Sequence, residues 1–129
     1  MVIAKHFYPP GLYRAPSGGI RPGEDILAGI NREVWEETGC KINLERFLLE
    51  TEVIFTSAIG DIEWNSYVFQ AGYRSGDFSF TDHREIREVK LARLHEFKEY
   101  AVIMRQTDIG GLHYRAALHE TIEKLLEVS

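Results

Sequence analysis

The sequence has a single cysteine, no long apolar run and no excess of positive charge. One cysteine, Cys40, excludes a disulfide within the chain and a zinc site built from several cysteines. No stretch reaches the roughly 18 apolar residues of a membrane span, and the N-terminus has no signal-peptide pattern. We therefore expect a cytoplasmic protein with no membrane partner. The formal net charge of −5 argues against a nucleic-acid polymer as partner, because neutralising phosphates needs a basic surface.

Size and composition indicate one globular domain. The chain has 129 residues, of which 44% are hydrophobic and 12% aromatic, which is enough for one packed core. We expect residues 1–129 to form a single domain. Strand patterns alternate with helical ones, which predicts an α/β fold with helices covering a sheet. The expected strands are 2–7, 12–15, 45–58, 62–73 and 85–94, and the expected helices are 25–38, 95–104 and 113–128.

The stretch 18–40, GGIRPGEDILAGINREVWEETGC, is the part of the chain with the most regular pattern. A turn at 17–19 allows positive φ angles and a close approach of the backbone to a ligand. A helix follows, with Glu24 or Asp25 as the candidate N-cap and Gly39 as the candidate C-cap. The apolar stripe of this helix is Leu27, Ile30 and Val34.

Three glutamates share one side of this helix. Glu33, Glu36 and Glu37 stand at i, i+3 and i+4, so their side chains point in similar directions. Like charges at this spacing destabilise an isolated helix. A bound cation relieves that repulsion, and hard oxygen ligands suit Mg²⁺ or Mn²⁺.

The spacing of these residues resembles the Nudix box, G-x5-E-x7-R-E-U-x-E-E-x-G-U, where U is a bulky aliphatic residue. Gly18, Glu24 and the run 32–40, REVWEETGC, fill its positions in register. The one departure is Cys40 at the last U, and a buried cysteine behaves as a small hydrophobe. The resemblance implies an α/β/α sandwich with a mixed sheet. It also implies hydrolysis of a diphosphate linkage in a small phosphorylated substrate, a nucleoside diphosphate linked to another group X.

The resemblance implies catalytic roles for the acidic residues of the box. In that family, glutamates matching Glu33, Glu36 and Glu37 bind divalent cations, here Mg²⁺ or Mn²⁺. A backbone carbonyl of the glycine turn, from Ser17 or Gly18, often adds a ligand. Such cations neutralise charge on phosphate oxygens and activate a water for attack on phosphorus.

The remaining box residues have supporting roles in this interpretation. Arg32 orients a carboxylate through a charge-assisted hydrogen bond, and Glu24 holds the loop against the helix near the metals. The turn containing Gly18 and Gly19 accommodates the diphosphate. Arg14, just before this turn, is a candidate phosphate contact, although a solvated strand end is the preferred explanation.

The general base is not fixed by the box. In many members of the family it is a glutamate on a loop distant in sequence. Glu85 and Glu88, in the run HREIRE at 83–88, are the candidates, and a charged loop beside a strand is the alternative. We prefer Glu85, because it lies deeper in the loop than Glu88.

Other polar and aromatic residues are assigned structural roles. The histidines have no metal-ligand spacing, so structural or surface positions are expected for His6, His83, His95, His113 and His119. The aromatic residues of the 62–73 strand are expected in the core rather than as a base-stacking platform: Trp64, Tyr67 and Phe69.

The chain departs from the family pattern before the box and in its substrate markers. Only 17 residues precede Gly18, so N-terminal strand(s) of the usual sheet are expected to be missing or supplied by a partner. Because an open sheet edge promotes pairing, a homodimer is a possible consequence. The proline that many ADP-ribose hydrolases carry beyond the box is absent near Thr56 and Ser57, so no substrate is identified.

Two alternatives to an independently active enzyme remain open. A catalytically silent Nudix-like module that senses a nucleotide is the first, and the full set of glutamates argues against it. A fragment that does not fold alone, and whose activity depends on an assembly, is the second.

Overall fold

The computed structural model describes residues 1–109 and 111–127. The strands and helices within them are β1 (Val2–Lys5), α1 (Ile26–Thr38), β2 (Cys40–Ser57), β3 (Gly60–Gly76), β4 (Ile86–Lys90), α2 (Glu96–Arg105) and α3 (Leu112–Glu127). Each predicted helix is present, although residue 128, the predicted end of the last one, lies outside the described residues. The strand expected at 12–15 is reduced to one isolated bridge between Arg14 and Ile3.

The strands form two separate antiparallel pairs, β1 with β4 and β2 with β3. A mixed sheet is therefore not found among the described residues, whereas three helices with antiparallel strands are compatible with the α/β fold that the resemblance implies. A two-residue connection suffices for an antiparallel hairpin, whereas parallel neighbours need a long crossover. The turn between Ser57 and Gly60 closes such a hairpin locally. That a strand before β1 is missing stays a prediction.

The core lies between β1, the segment after it, α2 and α3. It contains Val2, Ala4, Tyr8, Leu12, Tyr100, Ala101, Met104, Leu112 and Ala116. The helical period of the sequence predicts Tyr114, Leu118, Ile122 and Leu125 as the core stripe of α3, but part of this helix turns an adjacent face inward. Ala116, His119 and Ile122 are buried, whereas Tyr114 and Leu118 are only half-buried. The helical period was right, but the packing of α3 on its neighbours selects an adjacent face.

The β2–β3 hairpin is much more exposed than the core. Trp64 is 46% exposed and Tyr67 is also exposed, so the prediction that both are core residues is wrong. Phe69 is half-buried. Tyr114 of α3 contacts the hairpin, where its hydroxyl bonds to Thr51 and, at 2.8 Å, to Ser66. These hydrogen bonds attach one face of the hairpin to α3.

Helix α1 begins and ends at the predicted caps. The Asp25 side chain accepts a hydrogen bond from the Ala28 amide at 3.2 Å. Gly39 has φ 71°, and its amide donates to the Trp35 carbonyl at 2.9 Å, which is the left-handed C-cap that glycine favours. Of the predicted apolar stripe, Val34 is buried but Leu27 is exposed. None of the described helices is long and apolar enough to cross a membrane.

Candidate active site

Arg32 lies at the centre of a group of partly exposed carboxylates on α1 and just before it. Its Nε and Nη2 donate to the two oxygens of Glu24 at 2.9 and 3.0 Å. Its Nη1 donates to Glu33 at 2.8 Å and to Glu36 at 3.3 Å, and Nη2 also reaches the Gly19 carbonyl at 3.0 Å. One guanidinium therefore contacts three carboxylates and the glycine turn, where a charge-assisted hydrogen bond to a single carboxylate was expected.

Glu24 ties the loop before α1 to the helix. Besides its pair with Arg32, its Oε1 accepts the Arg21 amide at 3.0 Å. The hydrogen bonds from Arg32, aided by that amide, lower the pKa of Glu24 to about 2, because both favour the ionised carboxylate. The loop also packs closely on the helix at Gly29, where an added Cβ would crowd Ile20 and Glu24. Close packing of this loop explains the glycine inside α1.

Gly18 is needed for a close approach rather than for an unusual backbone angle. An added Cβ there would overlap the side chain of Glu33. Neither Gly18 nor Gly19 has a positive φ, so that part of the expectation for the turn at 17–19 is wrong. The backbone of the turn lies directly against a predicted cation ligand.

Glu37 faces the interior, unlike Glu33 and Glu36. It is 4% exposed. Its Oε1 accepts the Ser17 amide at 2.9 Å, and its Oε2 accepts Arg14 Nη2 at 3.3 Å. Burial raises the pKa of Glu37, while the charge of Arg14 and the Ser17 amide act in the opposite direction. The helix places Glu37 one turn from Glu33, but buried partners draw its carboxylate away from the cleft.

Arg14 is a buried structural residue, so both the predicted phosphate contact and the solvated strand end are wrong. It is 2% exposed. Besides Glu37, its guanidinium donates to the Tyr8 hydroxyl at 3.0 Å, the Ala15 carbonyl at 2.9 Å and Ser17 Oγ at 3.0 Å. A side chain so engaged and enclosed cannot reach a substrate phosphate. Its isolated bridge with Ile3 holds the backbone inside the fold.

Helix α3 completes this buried group. Arg115 Nη1 donates to Ser17 Oγ at 2.9 Å. His119 Nε2 accepts the Ala15 amide at 3.0 Å, so its Nδ1 carries the proton donated to the Arg115 carbonyl at 2.7 Å. Burial lowers the pKa of His119 to about 4. The structural role expected for this histidine is confirmed.

Ser17 was predicted as a metal ligand through its carbonyl. Its amide and its hydroxyl instead engage Glu37 and the two arginines Arg14 and Arg115. These contacts lie on the buried side of the turn. A ligand role for the Ser17 carbonyl stays a prediction.

An open cleft of about 420 Å³ lies beside the exposed side of α1. Its lining is rich in charged residues of both signs: Gly19, Ile20, Arg21, Arg32, Glu33, Glu36, Asp82 and Glu85. Four carboxylates therefore share this cleft with two guanidinium groups. This combination suits a cation together with an anionic substrate.

Asp82 is a cleft residue that the sequence interpretation missed. Its amide and that of Thr81 both donate to the Glu36 carbonyl, at 3.0 and 3.2 Å. Its Oδ1 accepts the Glu85 amide at 3.3 Å. An aspartate three residues before a candidate base is a turn-forming signal that could have identified it. This turn brings the loop to the C-terminal end of α1.

The structure separates the two candidate bases. Glu85 is exposed at the cleft, where Lys5 Nζ lies 3.6 Å from its Oε2. Glu88 points elsewhere and accepts the Tyr13 hydroxyl at 2.5 Å. Only Glu85 is therefore placed beside Glu33 and Glu36.

The cleft has suitable donor atoms for a hard divalent cation, but they are not gathered into a cage. Carboxylate oxygens are suitable ligands for Mg²⁺, which usually takes one or two of them together with water and substrate phosphates. Within residues 1–109 and 111–127, however, no three His, Cys, Asp or Glu side chains are grouped closely enough to hold a metal. Glu33 and Glu36 are instead both paired with Arg32.

Comparison with known proteins supports the box. A family model described as the NUDIX domain matches residues 1–108. The NAD-capped RNA hydrolase NudC of Chromobacterium violaceum is 31% identical over 70 residues, which cover 54% of this chain and 24% of that protein. The RNA pyrophosphohydrolase of Roseobacter denitrificans is 45% identical over 40 residues, covering 31% of this chain and 25% of that protein. The matches thus span about a quarter of each of these curated relatives.

Proposed function

Because this chain belongs to the NUDIX domain family, we propose that it is a pyrophosphohydrolase acting as one domain over residues 1–129. Its reaction is the metal-dependent hydrolysis of a diphosphate linkage in a substrate of the type nucleoside diphosphate linked to X. The single observation that carries the proposal is the cleft in which Glu33, Glu36, Asp82 and Glu85 face Arg21.

Each cleft residue has a proposed role. Glu33 and Glu36 hold Mg²⁺ or Mn²⁺, with Asp82 as a further oxygen donor nearby. A bound cation supplies charge neutralisation at phosphate and lowers the pKa of a water. Glu85 takes the proton from the attacking water as general base, and Arg21 replaces Arg14 as the proposed phosphate contact. Gly18 and Gly19 keep the backbone open on the substrate side.

Arg32 and Glu24 are positioning residues in this proposal. They fix Glu33 and Glu36 without touching the substrate. Glu37 and the Ser17 carbonyl remain proposed cation ligands, but we place them after Glu33 and Glu36. Because both oxygens of Glu37 are already engaged, binding a cation there requires exchange of Arg14 or of the Ser17 amide.

The names of the two relatives widen the substrate class. Both proteins are named for activity on RNA, whereas the composition argued against a nucleic-acid polymer. We therefore include the 5′ end of an RNA, where a diphosphate linkage also occurs, beside small nucleotides. A cytoplasmic location and a homodimer stay predictions.

The proposal is tested by turnover on a substrate panel. The panel contains nucleoside triphosphates, ADP-ribose, nucleotide sugars, dinucleoside polyphosphates, NAD-capped RNA and 5′-triphosphorylated RNA, each with Mg²⁺ or Mn²⁺. On the best substrate, Glu85→Gln should lower kcat by about 10²–10⁴-fold, the usual contribution of a general base. Glu88→Gln is the matched control and should stay within about threefold of the wild type, since that carboxylate is bound to Tyr13 outside the cleft.

Cation binding is measured separately, by Mn²⁺ paramagnetic resonance on the same proteins. Glu33→Gln and Glu36→Gln should each weaken Mn²⁺ binding, whereas Glu88→Gln should not. Equal loss of activity in Glu85→Gln and Glu88→Gln, or unchanged Mn²⁺ affinity in both box variants, would contradict the assigned roles.

A catalytically silent nucleotide-sensing module is the second candidate. The observation that favours it is the arginine pairing of all three box glutamates, Glu33 and Glu36 by Arg32 and Glu37 by Arg14. For this module, well-folded protein would bind a nucleotide from the panel but release no product with either cation. Turnover that depends on Glu85 would exclude it.

A further inference from the structure

A second pocket lies on the side of α1 that faces away from the acidic cleft. Its volume is about 320 Å³, and its lining consists of Asn31, Trp35, Lys41, Ile42 and Arg74. Among the described residues, none lines both pockets. Two residues along a helix correspond to a rotation of roughly 200°, so Asn31 and Trp35 point away from Glu33. The second pocket is therefore separate from the site proposed for catalysis.

Trp35 supplies an aromatic surface in this pocket. Its side chain is 42% exposed, and Lys41 Nζ lies 6.0 Å from the centre of its ring. A large aromatic ring left open to solvent beside a cation is well suited to stacking with another planar group. Asn31, one helical turn away, adds an amide at the edge of the same surface.

Arg74 brings a second cation to the pocket. A register shift between Lys41 and Ile42 pairs them with Ser75 and Tyr73. Arg74 is left as the extra residue between these partners, which is how a β-bulge redirects a side chain. Its guanidinium makes no hydrogen bond or ion pair with another described residue, and none of the lining residues is acidic. Lys41 likewise forms no ion pair within the described part of the chain, so the pocket holds two cations in a protein of net charge −5.

We propose that this pocket binds a phosphorylated nucleoside, with the base stacked on Trp35 and the phosphate held between Lys41 and Arg74. An aromatic face combined with adjacent cations is the general means by which proteins bind nucleotides without reading their sequence. The volume is at the small end of the range for ligand pockets, which fits one nucleotide unit. This binding needs neither the carboxylates of the cleft nor a divalent cation.

The same nucleotide unit occurs free in solution and within an RNA strand. The test therefore uses three ligands: AMP, adenosine and a short oligoribonucleotide. AMP tests the combined site, and adenosine removes the phosphate. The oligoribonucleotide, compared with AMP at equal nucleotide concentration, distinguishes the two sources by which of them binds more tightly.

Trp35 itself reports the binding. The chain has two tryptophans, so Trp64→Phe leaves Trp35 as the one fluorescent indole. Titrations contain EDTA, which removes divalent cations. AMP should quench the emission of Trp35, and adenosine should bind at least about fivefold more weakly. Removing the aromatic face by Trp35→Leu, followed calorimetrically in the otherwise native chain, should weaken AMP binding about tenfold or more.

Charge variants separate the pocket from a general attraction to anions. In the Trp64→Phe background, Lys41→Glu and Arg74→Glu should each weaken AMP binding about tenfold or more. Arg93→Glu makes the same charge change at an exposed residue outside the pocket and should have less than a twofold effect. Thermal unfolding of every variant verifies that it is folded.

Three results would overturn the proposal. The first is no quenching of Trp35 by AMP or by the oligoribonucleotide. The second is equal binding of AMP and adenosine, or equal effects of the Arg74 and Arg93 substitutions. The third is loss of the EDTA-resistant binding in Glu33→Gln, because the ligand would then occupy the acidic cleft. Activity of the cleft does not enter any of these measurements, so failure of the proposed hydrolysis is distinguishable.

Discussion

Arg32 and Arg14 each hold glutamates of the same acidic motif, but in different surroundings. Arg32 binds Glu24 at the rim of the cleft, where both side chains are partly exposed. Arg14 binds Glu37 inside the fold, where both are almost completely buried. The pKa of Glu24 falls to about 2 because hydrogen bonds from Arg32 dominate, whereas the pKa of Glu37 rises because burial dominates. An identical pair of residue types thus serves orientation at the surface and structure in the interior.

The largest expected effect comes from breaking the buried pair. Arg14→Met leaves Glu37 without its guanidinium in a site with little water, and removal of one partner of a buried pair typically destabilises a protein by about 3–5 kcal/mol. Urea unfolding followed by circular dichroism measures the change. The double variant with Glu37→Met should recover most of the loss, since apolar replacement of both partners is often nearly neutral. A loss below about 1 kcal/mol in Arg14→Met would mean that water or a rearranged Arg115 replaces the guanidinium.

The second effect is a pH dependence arising from the same buried group. The pKa of His119 is about 4 in the folded chain and about 6.5 when unfolded. The unfolded chain therefore binds more protons between these values, so the stability contributed by His119 is complete above pH 6.5 and is lost as pH falls toward 4.

Unfolding measured across that pH range should differ between the wild type and His119→Gln. The pH-dependent part of the difference should be on the order of 3 kcal/mol. Comparison with the variant also removes the contribution of Glu37, whose raised pKa acts in the opposite sense, with stability lost as pH rises through its folded pKa. Parallel stability curves for the two proteins would show that His119 does not titrate in this way.

The smallest expected effect on stability comes from the exposed pair. Glu24→Gln removes the bidentate partner of Arg32 but leaves the interior unchanged. We expect thermal stability to change little and kcat/KM to fall about 10–100-fold, as for groups that orient a metal ligand. Asp25→Ala, which removes the helix cap at the neighbouring position, controls for a loosened start of α1. A larger loss of activity in Asp25→Ala than in Glu24→Gln would assign the effect to the helix end instead of the ion pair.

The parts of the fold that could be predicted are those determined by neighbouring residues. The caps of α1 at Asp25 and Gly39 and the hairpin around Gly60 follow from local patterns. The orientation of Arg32 toward Glu24 also follows, because both belong to one motif whose spacing is fixed.

The interior partners of Glu37 could not be predicted in this way. Arg14 is 23 residues from it along the chain, and Arg115 and His119 come from α3. Tertiary packing decides whether a carboxylate turns toward a cleft or toward a buried arginine. The spacing of residues within a helix identifies only neighbours on that helix. The exposure of Trp64 was missed for a related reason, since alternation along a strand does not reveal whether another layer covers it.

The hydrogen bonds from the Thr81 and Asp82 amides to the Glu36 carbonyl connect the loop before β4 to the end of α1. This carbonyl belongs to the last turn of α1, where carbonyl groups have no amide donor within the helix. Because of these two hydrogen bonds, movement of the loop that bears Glu85 should also move the helical turn that bears Glu36. A proline in place of Asp82 would remove one of these two hydrogen bonds, because proline has no backbone N–H.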